Sequence, residues 1–220
     1  MLVWNMNQLH SKELDALYEL LPDGRRAMAE RVRNPKRRAE LIGSGTMIRL
    51  LMEAYGIGSE PECNAFGKPD FAEVHFSLSH SCGVLALAIA DVPVGVDIER
   101  VRPFPEAVAR KVGIPVGSAE EMIRCWTMKE AAAKQIGSGL RDLTVIREEE
   151  FTYLSHLLKF DKEGYVITMA LPKYSITDNS RKSVDFEGLG KDAKEAERPV
   201  YEGLYEGLGK LFFTPDAVII

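Results

Sequence analysis

The sequence predicts an α+β fold in two halves, and three observations carry that reading. Apolar residues recur at helical spacing in some stretches, other stretches show strand-like alternation or short apolar runs, and a Pro/Gly-rich segment, 103–117, divides the chain. The expected division is residues 1–100 and 101–220, and 220 residues can bury one large core or two smaller ones.

Composition narrows the class. Hydrophobic residues make up 45% and charged residues 28%, which suits a folded protein and not a disordered one. A net charge of −5 argues against an overall nucleic-acid footprint, although a local basic patch can still bind a phosphorylated small molecule. Cys63, Cys82 and Cys125 are odd in number and lack metal-type spacing, so neither a disulfide framework nor a zinc site is expected. With no export signal and no run approaching a membrane span, the expectation is a cytoplasmic protein that binds neither nucleic acid nor membrane.

Taken in order, residues 2–6 read as a first strand. Ser11 can cap a helix with Leu14, Leu17, Tyr18 and Leu21 on one side, which Pro22-Asp23-Gly24 ends. Arg25, Arg26, Arg31, Arg33, Lys36, Arg37 and Arg38 follow with few acids among them. Such a run is ordinarily a solvated helix face, yet guanidinium forks at this density also suit a phosphate-binding rim. Residues 36–55 read as a long helix with Leu41, Ile48, Met52 and Tyr55 on its buried side and Gly56 as its stop. Residues 56–69 read as loop, ending in Phe66-Gly67-Lys68-Pro69.

The stretch 75–81, HFSLSHS, alternates like a half-buried strand and ends in Ser79-His80-Ser81, three hydrogen-bonding side chains able to hold an anion. Val84–Ala90 is an apolar run suited to a buried strand, and Asp91-Val92-Pro93 turns it into a hairpin that delivers Gly95-Val96-Asp97-Ile98-Glu99. On a strand's period Val94, Val96 and Ile98 face one way and both acids the other, their Cα atoms roughly 6.5–7 Å apart. Two like charges so close call for hydration or a cation, so they are either surface acids at a strand end or part of a metal site.

Ser118 and Glu121 form a capping-box pattern for a helix that runs through CWTMKEAAAKQI and stops at Gly137-Ser138-Gly139. Trp126, Glu130 and Lys134 share one of its faces; Glu130 and Lys134 are a surface ion pair or, beside a tryptophan that prefers to pack, a partly buried site. Farther on, 144–146, 165–171 and 217–220 read as strands of a second sheet and 151–158 as a short helix or another strand. Two copies of Glu-Gly-Leu-Gly-Lys, 187–191 and 206–210, read as loops.

Asp97, Glu99 and Glu130 are three carboxylates with no Cys or His in ligand spacing, a donor set for a hard cation such as magnesium and not for zinc. Magnesium takes phosphate oxygens readily, so the acids, the basic run and the Ser-His-Ser strand end together point to phosphate chemistry.

Five motifs, FGKP, HFSLSHS, GVDIE, WTMKEAAAK and GSGL, fall in order over residues 66–140. Together they resemble the successive motifs of the 4′-phosphopantetheinyl transferase superfamily, most like its larger, surfactin-type branch. The resemblance implies a pseudo-dimer of two similar α+β halves, with coenzyme A and magnesium held at the interface between them, working as a monomer. By motif position it implies Asp97, Glu99 and Glu130 as metal ligands, Glu130 also activating the attacking serine directly or through water, and Lys134 protonating the leaving phosphate. Lys68, Ser79 and His80 match positions that hold the adenine-nucleotide end of coenzyme A, and Arg38 and Arg33 are looser matches for phosphate contacts. The reaction implied is transfer of the phosphopantetheine arm from coenzyme A to a serine of an apo acyl or peptidyl carrier protein, releasing adenosine 3′,5′-bisphosphate.

One segment departs from the pattern. Where the family carries Phe-Ser/Thr-x-x-Glu near the carrier protein, residues 104–121 read FPEAVARKVGIPVGSAEE. It motivates a second reading, a relative that holds coenzyme A or a carrier without transferring anything; a third reading is a magnesium-dependent phosphohydrolase using the same acids.

Overall fold

A computed structural model describes residues 1–72, 74–139 and 143–173, together with the strand at 217–219. The chain begins with strand β1 (Leu2–Asn5) and helices α1 (Ser11–Glu19), α2 (Asp23–Arg31) and α3 (Pro35–Tyr55). Pro22-Asp23-Gly24 does more than end α1, because Pro22 is the N-cap of α2, which carries much of the basic run. The start of α3 is fixed by Asn34, whose side chain accepts the Arg37 N–H at 3.1 Å, and by Pro35 in the first turn. Its end is fixed by Gly56 in the left-handed region at φ 65°.

Residues 56–69 form the expected connection, with a two-residue ribbon of β2 (Glu62–Cys63) and β3 (Pro69–Asp70) inside it. Strands β4 (His75–Ser81) and β5 (Val84–Ala90) then pair antiparallel, and β5 pairs with β1. Strand β6 (Gly95–Arg100) leads to helices α4 (Glu106–Val112) and α5 (Ala119–Ile136), followed by strands β7 (Phe151–Phe160), β8 (Glu163–Pro172) and β9 (Ala217–Ile219). Two antiparallel sheets result, ordered β4-β5-β1-β9 and β6-β8-β7. Helix and sheet therefore combine as an α+β fold.

Three of the expected elements are placed differently. β6 is not the second arm of a hairpin with β5, because both edges of β5 are already hydrogen-bonded, to β4 and β1; the chain crosses instead to β8. β9 joins the first sheet, not the second, with Leu2 opposite Ile219 and Trp4 opposite Ala217. Residues 144–146 do not form a strand; a turn occupies 143–145, and Val145 there is 70% exposed. Of the two readings of 151–158, the strand is the one found, paired along its length with β8. Both Glu-Gly-Leu-Gly-Lys copies lie outside the described residues.

Packing explains where β6 directs its side chains. One face of the first sheet sets Trp4, Phe76, Leu85 and Leu87 against Ile42, Ile48 and Leu51 of α3. The opposite face sets Val3, Val84, Ala86 and Ala88 against Val96, Ile98, Ile167 and Met169 of the second sheet. Val96 and Ile98 are fully buried there, worth roughly 1.5–3 kcal/mol each. The two-residue period then sends Asp97 and Glu99 out of the opposite side, toward α5.

Helix α5 starts at the expected capping box, Ser118 accepting the Glu121 N–H at 3.3 Å while Glu121 accepts the Ser118 N–H at 2.8 Å. It lies over β6 and β8 through Ala131 and Ala132, small enough to bring its backbone close. Gly95 completes the fit: a Cβ there would stand 1.9 Å from the Ala131 carbonyl oxygen. Trp126, on the same face as Glu130 and Lys134, packs at 5.3 Å on Phe104 in the core beneath α4.

Candidate active site

The close seating of α5 on β6 brings its last two turns over the acids. Asp97 is 2% exposed, and Lys134 Nζ donates to its Oδ1 at 2.6 Å. Lys134 also donates to Ser79 Oγ at 2.8 Å, and Ser79 Oγ donates to the same Asp97 oxygen at 2.8 Å. Three elements, β4, β6 and α5, thus meet at Asp97 Oδ1. Its other oxygen, Oδ2, is buried without a hydrogen-bond partner. An acceptor left bare in a buried position is costly and marks a place for a proton or a cation.

Glu130 is the acid of this cluster whose charged form is most disfavoured. Burial pushes its carboxyl pKa up to about 8, the negative charge of Asp97 adds to the rise, and Glu99 contributes in the same sense. The Lys134 ammonium opposes the shift without cancelling it. Glu99 lies farther out on β6, hydrogen-bonded at Oε2 by Ser81 Oγ at 2.8 Å and 3.9 Å from Arg102 Nη2. Burial raises the Glu99 pKa as well, with the Ser81 hydrogen bond working against the rise.

The motif residues divide between two clefts that both reach β4. One, about 340 Å³, is lined by Lys68, Ser77, Glu130, Lys134 and the turn at Gly137 and Gly139. Lys68 is part-buried there, its Nζ 3.4 Å from the Val94 carbonyl, and burial lowers its pKa. The loop that carries it is held by Asn64, whose Oδ1 accepts the N–H groups of Phe66 and Lys68 and whose Nδ2 donates to the Gly137 carbonyl. Asn64 thereby ties the Lys68 loop to the end of α5. The sequence reading passed over it, although a side chain that closes a local turn is a recognisable role for the Asn of Asn64-Ala65-Phe66-Gly67.

The second cleft, also about 340 Å³, is lined by Met28, Arg31, Val32, Arg37, Leu41 and His80. His80 is on the opposite face of β4 from Ser79 and pairs through Nδ1 with Glu40 Oε2 at 3.2 Å. Of the basic run, the arginines that line this cleft are Arg31 and Arg37. Arg38 stands over the Tyr18 ring at 5.1 Å, and Arg33 is exposed on the connection between α2 and α3. The structure thus gathers Asp97, Glu130, Lys134 and Ser79, sets Lys68 at the same cleft and Glu99 at its edge, and leaves His80 to the second cleft.

Among the described residues no three His, Cys, Asp or Glu side chains stand together as a ready metal site. No helix of the described residues is long and apolar enough to cross a membrane.

No family model matches the chain. Individual relatives do. The chain is 31% identical over 147 residues to the 4′-phosphopantetheinyl transferase psf-1 of Bacillus pumilus, covering 59% of this chain and 63% of that one. It is 28% identical over 117 residues to a 4′-phosphopantetheinyl transferase of Bacillus subtilis, 46% of this chain and 52% of that one. A third relative, the 4′-phosphopantetheinyl transferase gsp of Aneurinibacillus migulanus, is 29% identical over 116 residues, 46% of this chain and 48% of that one. The chain thus spans between about half and just under two thirds of these relatives. Five ordered motifs and the agreement of these relatives lead to one conclusion: the chain is similar to 4′-phosphopantetheinyl transferases of the surfactin type over the part of their length that it matches.

Proposed function

We propose that the chain transfers the 4′-phosphopantetheine group of coenzyme A to a serine of an apo acyl or peptidyl carrier protein, releasing adenosine 3′,5′-bisphosphate. The observation that carries this reading is the buried meeting of Asp97, Glu130 and Lys134 between β6 and α5, in a chain whose relatives are named for that activity. Three properties of the meeting point suit magnesium: an all-oxygen donor set, the bare Asp97 Oδ2, and a Glu130 whose pKa is raised by burial and by the negative charge of Asp97 and Glu99. Asp97, Glu99 and Glu130 would hold the ion, whose chemistry is to neutralise charge on the pyrophosphate as its phosphorus–oxygen bond breaks.

The chain's own residues have definite tasks in such a transfer. Glu130, once the negative charge around it is compensated, ionises and accepts the proton of the carrier serine, directly or through one water. The serine oxygen then bonds to the phosphorus on the pantetheine side, and the bond from that phosphorus to the bridging oxygen breaks. The bridging oxygen departs on adenosine 3′,5′-bisphosphate, and Lys134, free to leave Asp97 for the phosphates, donates a proton to it. Lys68 at one cleft and Arg31, Arg37 and His80 at the other suit the nucleotide phosphates, with the donor lying across β4. Ser79, hydrogen-bonded to both Asp97 and Lys134, sits between the two clefts.

The test is to incubate the protein with coenzyme A, magnesium and a panel of apo carrier proteins and follow carrier mass. The expected result is one phosphopantetheine per carrier, abolished by chelation. Unchanged mass for every carrier, from folded protein that binds coenzyme A, overturns the proposal, and breakdown of coenzyme A without an acceptor replaces it with hydrolysis.

A further inference from the structure

The two sheets meet at β4 and β6 without a main-chain ladder, and three serines take its place. Ser77, Ser79 and Ser81 alternate along one face of β4, and their hydroxyls accept the backbone N–H groups of Val96, Ile98 and Arg100 at 3.0, 3.3 and 3.2 Å. These are the outward-pointing amides of β6, which would otherwise be left unpaired on the edge strand of its sheet. A serine hydroxyl has one proton, so while it accepts an amide it can still donate once. Ser79 and Ser81 spend that proton on Asp97 Oδ1 and Glu99 Oε2, both at 2.8 Å.

We propose that Ser81 is a positioning residue for Glu99, fixing which oxygen of that carboxylate faces the substrate side. The inference rests on the transfer reading above, in which Glu99 is a metal ligand. Ser81 is 8% exposed and stands on a stiff base. The turn after it is held by Asn7 Nδ2 donating to the Cys82 carbonyl at 3.0 Å, by the Met6 N–H donating to the Gly83 carbonyl at 2.9 Å, and by the Gly83 N–H donating to Glu40 Oε1 at 3.1 Å. With both ends of its hydroxyl engaged, the side chain has one orientation. The Ser81 hydrogen bond and the Arg102 ion pair both fall on Glu99 Oε2, so Oε1 is the oxygen left for a cation. Without the hydroxyl, Glu99 can turn toward Arg102 and solvent, since its side chain is 21% exposed. Ser79 would show the same effect less cleanly because Lys134 also donates to it.

The experiment compares Ser81→Ala, Ser81→Thr and Ser77→Ala with the wild type, reading Mn²⁺ affinity by electron paramagnetic resonance in the presence of coenzyme A. Loss of an outer partner of a metal ligand typically weakens affinity about 10–100-fold, and the lower end is expected for Ser81→Ala. Its KM for magnesium should rise in step, while kcat at saturating magnesium falls far less. Ser81→Thr keeps the hydroxyl and should return affinity to within about twofold of wild type, as the exchange of one hydroxyl for another on a strand implies. Ser77→Ala removes the equivalent bond to a β6 amide without touching an acid; because Ser77 also lines the Lys68 cleft, it is read without coenzyme A, where it should lose stability with Mn²⁺ affinity falling far less than in Ser81→Ala. Wild-type affinity in Ser81→Ala overturns the inference, and so does an equal loss in Ser77→Ala, which would make the effect one of sheet docking alone. If the wild type transfers the arm and these results follow, only the role of Ser81 is wrong; if the wild type neither binds Mn²⁺ nor transfers, the functional reading falls with it.

Discussion

Gly95→Ala tests whether the distance between β6 and α5 governs the chemistry. The added methyl would lie 1.9 Å from the Ala131 carbonyl oxygen and 2.5 Å from the Gln135 amide nitrogen, both backbone atoms that no rotamer change can move. Restoring even a tight 3.0 Å contact requires α5 to retreat by about 1.1 Å, and an ordinary contact requires more. The Lys134–Asp97 hydrogen bond, 2.6 Å at present, would stretch to roughly 3.7 Å, beyond hydrogen-bonding range. Overpacking of this kind costs about 1–3 kcal/mol of stability, and a misplacement near 1 Å in a reacting constellation costs on the order of 100-fold in rate. The assay pairs urea denaturation with kcat/KM for carrier modification, measured where the variant is fully folded. Gly58→Ala, whose Cβ would meet nothing within 4 Å, serves as the control and should be silent in both. Near-wild-type rates in folded Gly95→Ala would show that the spacing of α5 and β6 does not set the reaction.

Other consequences follow from charge and loop anchoring. Because the Glu130 pKa in the folded state is raised to about 8 from 4.5, the metal-free protein binds a proton between those pH values that the unfolded chain lacks. Its contribution to stability is therefore full below about pH 4.5 and is lost as pH rises toward 8, on the order of a few kcal/mol. Urea melts with a chelator at pH 5, 6.5 and 8 should show this fall, Glu130→Gln should flatten it, and magnesium should stabilise most at the highest pH; metal-free stability that rises with pH contradicts it. Arg31→Ala and Arg37→Ala should each raise KM for coenzyme A by about tenfold, the worth of a charge-assisted hydrogen bond, with little change for 3′-dephospho-coenzyme A. Equal losses for both donors would mean the second cleft does not bind the 3′-phosphate. Asn64→Ala should cost about 1 kcal/mol of stability and raise KM for coenzyme A through the released Lys68 loop, whereas an unchanged KM would separate that loop from binding.

Much of this site was legible in the sequence because its chemistry is local. Asp97 and Glu99 declared themselves by alternating with Val96 and Ile98, and the structure buries both apolar side chains and turns both acids the other way. The capping box at Ser118 and the four-residue stripe of Trp126, Glu130 and Lys134 were equally plain, since helix periodicity is written in neighbouring residues. What the sequence did not disclose depends on contacts between distant segments. The partner of β6 could not be read because β5 precedes it directly, and only the occupation of both edges of β5 sends β6 to β8. The pairing of β9 with β1 joins opposite ends of the chain, and no local pattern records it. Within the basic run, charge alone did not separate Arg31 and Arg37, which face His80, from Arg38, which stacks on Tyr18. Ser79, His80 and Ser81 were read as able to hold an anion, and the use of Ser77, Ser79 and Ser81 to cap the edge of β6 appears only once the two sheets are side by side.

The most direct test is a single-turnover measurement of phosphopantetheine transfer to a responsive apo carrier by wild type and Glu130→Gln, each saturated with coenzyme A and magnesium. Glutamine keeps the size of the side chain and removes both its negative charge and its capacity to accept a proton, so the fold should persist while transfer falls by at least about 100-fold, the lower range for loss of a general base. A variant that still transfers at the wild-type rate would contradict the central role given to Glu130 and, with it, the account of why Asp97, Glu130 and Lys134 meet in one buried place.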